Sequence, residues 1–236
     1  MHLTLEDHMK TSTIAIRPLA TLKLATLALL ALVLLFLNAC HWVGLEGNGD
    51  VVNKDRAVGD FTKIEADGAF VVNWTAAATP KLSITTDSNL FDYLRTDISG
   101  ETLHIEWVKP LRGTHGIKVN VSSPKLTNVV LNGAVRFNAA NLSGPEFYLD
   151  ATGATRVTLQ GNVNALSGEM TGASRLDAES LVTRAMELNI SGAGKAEVNV
   201  SDALKVTISG AGKVTYSGDP QVSRDISGAG SVRKRE

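Results

Sequence analysis

Five basic residues recur at nearly constant intervals in the second half of the chain, each three positions after a glycine. They are Arg136, Arg156, Arg175, Lys195 and Lys213, and the intervals between them are 18 to 20 residues. Guanidinium and ammonium groups held in one line can bind phosphate or carboxylate oxygens. If the fold brings these residues together, they form a basic ladder suited to an anionic polymer. The alternative is a solvated edge, partly compensated by Asp177 and Glu197 two positions after Arg175 and Lys195.

Two carboxylates stand at matching positions in successive repeats, three residues before a glycine: Asp150 and Glu169. A carboxylate pair can do general acid–base chemistry or bind calcium, but two solvated acids on a sheet face are the commoner arrangement. His104 and His115 have no second histidine or cysteine at a ligand spacing. The sequence therefore predicts no catalytic residue, no metal site and no cofactor.

The composition is that of a globular chain with thin, strand-rich packing. Aromatic residues make up 5% of the 236 residues, and the formal net charge is −1. This charge gives no general attraction to nucleic acid, and no aromatic residues are interleaved with the basic ones to stack on bases. Nucleic acid is therefore not an expected partner.

A repeated Gly-Ala dipeptide indicates which secondary-structure elements position these side chains. It occurs at Gly133, Gly153, Gly172, Gly192, Gly210 and Gly228, at intervals of 18 to 20 residues. Apolar residues alternate with polar ones between the copies, which is the period of a strand. A fixed period of this size is typical of a solenoid. We expect an all-β fold, a right-handed single-stranded parallel β-helix, with Gly-Ala at a corner of each coil and an early, degenerate copy at Gly68-Ala69.

The N-terminus has the residue pattern of an export signal. Lys10, Arg17 and Lys23 precede an apolar stretch from Leu24 to Leu37, which is shorter than a comfortable membrane span. It ends in "LNAC", which resembles the lipobox of bacterial lipoproteins and predicts lipidation of Cys40, the only cysteine. An uncleaved anchor helix is the alternative.

The predicted boundaries follow from this signal: a signal peptide over 1–39, the lipidated cysteine and a tether over 40–56, and the β-helix over 57–236. Position 41 is histidine and not the aspartate that favours inner-membrane retention, so the resemblance favours the outer membrane.

Three stretches carry a family resemblance: "DFTKIEADGAFVVNW", "TDSNLFDYLRTDISGETLHIEW" and the "ISGAG" copies. The chain resembles the bacterial GIN domain family, whose name refers to adhesin heads, over roughly residues 47–235. The resemblance implies a right-handed β-helix in a secreted or lipid-anchored protein, and it supplies no catalytic residues.

We therefore expect a lipid-anchored envelope protein, held to the membrane through its N-terminus. It would act without enzymatic activity as a surface binding, adhesion or scaffolding module for an envelope polyanion, a glycan or a protein. Two other classes remain open: a polysaccharide-active β-helix enzyme, and a periplasmic protein-interaction component.

Overall fold

A computed structural model describes residues 44–236, and the predicted signal segment and Cys40 lie outside the described residues. The strands are β1 Leu45–Glu46, β2 Val51–Arg56, β3 Lys63–Gly68, β4 Val71–Ala76, β5 Lys81–Asp87, β6 Leu94–Ser99, β7 Thr102–Trp107, β8 Leu111–Gly113, β9 Lys118–Ser123, β10 Asn128–Gly133, β11 Arg136–Gly153, β12 Arg156–Gly172, β13 Arg175–Gly192, β14 Lys195–Gly210, β15 Lys213–Ser217, β16 Gln221–Gly228 and β17 Ser231–Lys234. One 3₁₀ turn, Phe91–Tyr93, precedes β6.

The chain folds as an all-β solenoid of about five turns, as the repeat predicts. Strands β10 to β15 pair in parallel with the strands one coil earlier and one coil later. The repeated glycines pair directly with one another in the order Gly68, Gly133, Gly153, Gly172, Gly192, Gly210 and Gly228. The early copy at Gly68 is thereby confirmed as part of the same column.

Each coil turns a corner at its Gly-Ala pair. The six glycines from Gly133 to Gly228 have φ values between 91° and 120°, a region that residues with a β-carbon rarely adopt. The corners are also closely stacked, because the alanine amide after each glycine from Gly133 to Gly210 donates to the glycine carbonyl one coil earlier, as Ala154 does to Gly133 at 2.8 Å. Backbone conformation and close approach together explain why the dipeptide is repeated.

The core consists of inward-facing apolar columns along the solenoid. One column, four residues after each glycine, is almost fully buried: Phe137, Val157, Leu176, Ala196, Val214 and Val232. Alternation along each strand places the polar residues of the same strands on the outside. The periodicity in the sequence therefore predicts which side chains face out, and these include the basic residues.

The order of coils at the N-terminal end departs from the order of the chain. Strands β3 and β4 pair on one side with β10 and β11 and on the other side with β7 and β9, which come later in the sequence than β3 and β4. Antiparallel strands complete this end: β6 pairs with β7, β5 with β9, and β2 with β5. The coil formed by β7 and β9 is therefore outermost in space, although it follows the coil of β3 and β4 in the sequence. Antiparallel strands cover this outermost coil.

Two strands of this end structure, β1 and β2, lie within the segment that the sequence interpretation assigns to a tether. Strand β1 pairs with β8, and β2 pairs with β5 over six residues. Arg56 donates to the carbonyl oxygens of Leu94 at 2.6 Å and Phe91 at 3.0 Å. The folded domain therefore begins before residue 57.

Asp87 ties the loops of this end together. Its carboxylate is fully buried and accepts hydrogen bonds from the amide of Gly49 at 2.8 Å, the amide of His115 at 2.9 Å and the hydroxyl of Thr114 at 2.9 Å. The ring of His115 lies 2.9 Å from the same carboxylate. Burial alone would raise the pKa of Asp87, but these hydrogen bonds outweigh it and hold that pKa well below its usual range.

Among residues 44–236, no helix has the length and apolar character required to cross a membrane.

Candidate functional site

The five basic residues form one column across five adjacent parallel strands. Arg136 pairs with Arg156, Arg156 with Arg175, Arg175 with Lys195, and Lys195 with Lys213. Neighbouring strands lie about 4.8 Å apart, so the charged stems are stacked one per coil. The predicted register is confirmed.

The charge around the column varies along its length, because the residues beside the five basic side chains differ from coil to coil. Two positions further along each strand stand Asn138, Thr158, Asp177, Glu197 and Thr215, which are themselves in register. Acids thus accompany only the third and fourth basic residues. The first two are beside neutral side chains.

Lys195 is neutralised by a direct ion pair with Glu197. The hydrogen bond from Lys195 lowers the pKa of Glu197 to about 2, with Arg235 adding a further favourable charge at 3.4 Å. Asp177 makes no such pair with Arg175. The sequence predicts compensation at both positions; the structure shows it at Lys195 and, among residues 44–236, not at Arg175.

Among residues 44–236, four members of the column make no ion pair: the exposed Lys213, which lies beyond Lys195, and three consecutive arginines. We call Arg136, Arg156 and Arg175 the arginine trio. All three side chains are exposed, and within residues 44–236 none of them makes an ion pair. They line a shallow depression of about 390 Å³ together with the corner alanines of the same three coils, Ala134, Ala154 and Ala173. Small corner residues beside unpaired guanidinium groups leave room for an oxyanion to approach each fork.

The second predicted pair, Asp150 and Glu169, is also in register on adjacent strands. Both carboxylates raise the pKa of Tyr148, although its burial is the larger cause. Neither acid lines the depression of the arginine trio or the clefts described below. The part of the chain that is described holds no cluster of three metal-ligating side chains.

The two histidines that follow the export segment within the folded domain occupy structural positions. His115 contacts Asp87, and the ring of His104 lies 3.3 Å from the carboxylate of Glu65 on the neighbouring strand. Each histidine thus contacts one acid, and neither pair has a third possible metal ligand beside it among the described residues.

A row of amides, absent from the sequence interpretation, crosses the same outer face. We call Asn120, Asn73 and Asn138 the amide row: Asn138 donates to Asn73 at 2.8 Å, and Asn73 donates to Asn120 at 2.8 Å. The row lies in a cleft of about 1010 Å³. Its members come from β9, β4 and β11, which are neighbours in space but not in sequence, so no periodicity could have revealed it.

A second cleft, of about 910 Å³, runs over a floor of alanines at Ala165, Ala185 and Ala203. The large apolar side chains that are exposed in the described part of the chain are Val51, Val108, Val182 and Val222.

The comparisons with known proteins agree with the fold. The model of the family described as "Putative auto-transporter adhesin, head GIN domain" matches residues 60–220. No curated protein matches the chain.

Several crystal structures resemble it. A putative adhesin from Bacteroides fragilis is 18% identical with a TM-score of 0.69, over 81% of this chain and 100% of the other. A putative lipid binding protein from Parabacteroides distasonis is 24% identical with a TM-score of 0.58, over 81% and 99%. A putative adhesin from Parabacteroides merdae is 21% identical with a TM-score of 0.51, over 82% and 100%. At these identities the likeness concerns the fold alone.

Proposed function

Because the chain belongs to the auto-transporter adhesin head GIN domain family, we propose that it is a binding module of the cell envelope that holds an anionic polymer on its arginine trio. The module acts by adhesion or scaffolding and without catalysis. The family description and the names of the similar structures support an adhesive, surface-associated role.

The observation that carries the proposal is the alignment of three exposed guanidinium groups, one per coil, with no ion-pair partner among residues 44–236. Like charges stacked in one register destabilise a sheet by a few tenths of a kcal/mol or more unless something offsets the repulsion. A polymer with regularly placed phosphates or carboxylates would offset it at all three positions. Arginine suits this task because its planar fork binds oxyanions bidentately.

Candidate polymers share this chemistry: the phosphates of lipopolysaccharide, an acidic glycan or an acidic protein segment. The anchoring arrangement that we propose brings the module to them. Cys40 carries the lipid, and the outer membrane is the location that the sequence "NACH" favours. Mass spectrometry of full-length protein extracted in detergent tests this part, since an unmodified Cys40 would overturn it.

The binding test replaces Arg136, Arg156 and Arg175 with glutamine together and measures binding to lipopolysaccharide and to an acidic polysaccharide at low and high salt. We expect binding to weaken at low salt while the fold survives, since exposed charges interact most strongly when screening is weak.

A matched control removes the same amount of charge elsewhere. Arg95, Arg184 and Lys205 are exposed but held in surface ion pairs, and their replacement with glutamine should leave binding largely intact. Equal losses in the two triple variants would show that only net charge matters, and the proposed site would be rejected.

A further inference from the structure

We propose that the cleft over the amide row is a second binding site, which takes an extended, uncharged glycan lying across the strands with about one sugar unit per coil. This site is separate from the arginine trio and differs from it in ligand chemistry.

The amide row retains much of its hydrogen-bonding capacity. Each asparagine side chain offers two N–H donors and an oxygen with two lone pairs. The two bonds within the row use one N–H of Asn138, one N–H of Asn73 and one lone pair each of Asn73 and Asn120. Donors and acceptors therefore remain at every position, which is what successive hydroxyl groups of a sugar chain require.

The row continues beyond the amides at both ends. Ser83 pairs with Asn120 on one side, and Thr158 pairs with Asn138 on the other, so five adjacent strands present a polar side chain at the same position. All five of these residues line the cleft. The strand spacing of about 4.8 Å is close to the length of one pyranose unit in an extended glycan, so successive sugars would meet equivalent groups.

The cleft has the size and the charge balance for such a ligand. Its volume of about 1010 Å³ is at the upper end of ordinary ligand sites, which are about 300–1,000 Å³. Its charged lining residues are Asp55, Arg56 and Lys81. The guanidinium of Arg56 keeps its charge, but its donors are engaged by the carbonyls of Leu94 and Phe91 and by the hydroxyl of Thr96. The other two charged side chains, Asp55 and Lys81, have opposite signs.

Asparagine ladders also stabilise stacked strands, and that role alone would explain the two bonds within the row. It would not explain the cleft or the polar residues that prolong the row on both sides. The two readings differ in whether a glycan binds and in whether binding grows with glycan length.

The experiment uses detergent-solubilised full-length protein, in a detergent without a sugar headgroup, and titrates it calorimetrically with cello-oligosaccharides and chito-oligosaccharides of increasing length. We expect affinity to rise with each added sugar and to level off once the chain spans the five strands. Binding should change little with salt, in contrast to binding at the arginine trio. Failure of both oligosaccharide series to bind, or affinity independent of length, would overturn the proposal.

The test variant replaces Asn73 and Asn138 with valine, which suits a strand but offers no hydrogen bond. We expect affinity to fall at least tenfold. The control is Thr215→Val, which lies in the same register on the same face but outside the cleft, and it should bind normally. Undiminished binding by the double variant would also overturn the proposal.

Two more variants cover the remaining outcomes. If the double variant fails to fold, Thr158→Val takes its place, since it removes only one end of the row. Affinity should then level off at a shorter oligosaccharide. An unchanged oligosaccharide length would contradict the proposed site. The arginine-trio glutamine variant should bind neutral glycans normally, and a loss there would assign binding to the arginines instead.

Discussion

Gly153 lies so close to Gly133 that a β-carbon on Gly153 would stand 2.4 Å from the Gly133 carbonyl oxygen. The same approach recurs at each later corner, where the corresponding distances are 2.5 to 2.6 Å. The neighbouring atom is backbone and cannot rotate away. Stacking of corners thus depends on glycine at each of these positions.

Replacement of Gly153 with alanine should therefore destabilise the protein by at least about 2 kcal/mol, because it combines a steric clash with a strained φ of 109°. Urea unfolding followed by circular dichroism measures the change. Gly113→Ala is the control, since a β-carbon there meets nothing within 4 Å and its φ is not in the positive region. A loss of similar size at Gly113 would show that the close approach is not the cause.

Asp87 should make the N-terminal end sensitive to acid. Its pKa in the folded protein lies below the ordinary value of 3.8, so it contributes stability above pH 4 that is lost as the pH falls below that value. Asp87→Asn should cost about 2 kcal/mol near neutral pH, because charged acceptors contribute about 1.5–3 kcal/mol.

Thermal melts of both proteins between pH 7 and about pH 3 measure this effect. The wild type should lose more stability over that range than Asp87→Asn, which has no carboxylate to protonate at this position. Parallel pH dependences would exclude Asp87 as the origin.

Arg56 should contribute far more to the stability of the fold than an ordinary surface arginine does. Burial lowers its pKa, and its guanidinium donates to two backbone carbonyls and stacks 4.6 Å from the ring centre of Phe91. Arg56→Ala should cost about 2 kcal/mol because it leaves those carbonyls without their donor.

Hydrogen exchange of β2 and β6, with global unfolding, reports this loss. Arg95→Ala is the matched control: its ion pairs with Asp97 and Glu106 are on the surface, and its loss should cost less than about 1 kcal/mol. The Arg95→Ala variant should show no acceleration of hydrogen exchange confined to β6, and such an acceleration would contradict the prediction.

Lys195 should contribute less to anion binding than its position in the column suggests, because Glu197 already pairs with it. Lys195→Gln should leave lipopolysaccharide binding close to that of the wild type, while Arg156→Gln weakens it. The Lys195 variant should also raise the pKa of Glu197 above its value of about 2, which carbon NMR titration of the carboxyl group detects. A larger binding loss at Lys195 than at Arg156 would contradict the division of the column.

The repetitive half of the fold is predictable from the sequence because neighbouring coils there are also consecutive in the chain. The positions of Gly133, Gly153 and Gly172 place Arg136, Arg156 and Arg175 in register, since each arginine lies three residues after a glycine that pairs with the glycine of the next coil. Alternation then determines that Phe137 faces the core and Arg136 faces solvent. The choice of glycine at each corner follows from the backbone conformation that the bend requires.

Tertiary structure decided what depends on contacts between distant segments. The sequence interpretation begins the β-domain at residue 57, whereas Arg56 and Asp87 bind partners 27 to 40 residues away that have no repeat to mark them. Asn120 and Asn73 meet only because an outer coil is formed out of chain order. Local periodicity encodes a side chain's direction and its neighbours one period away; the partners of irregular, inserted strands are selected by packing and hydrogen bonding in the folded whole.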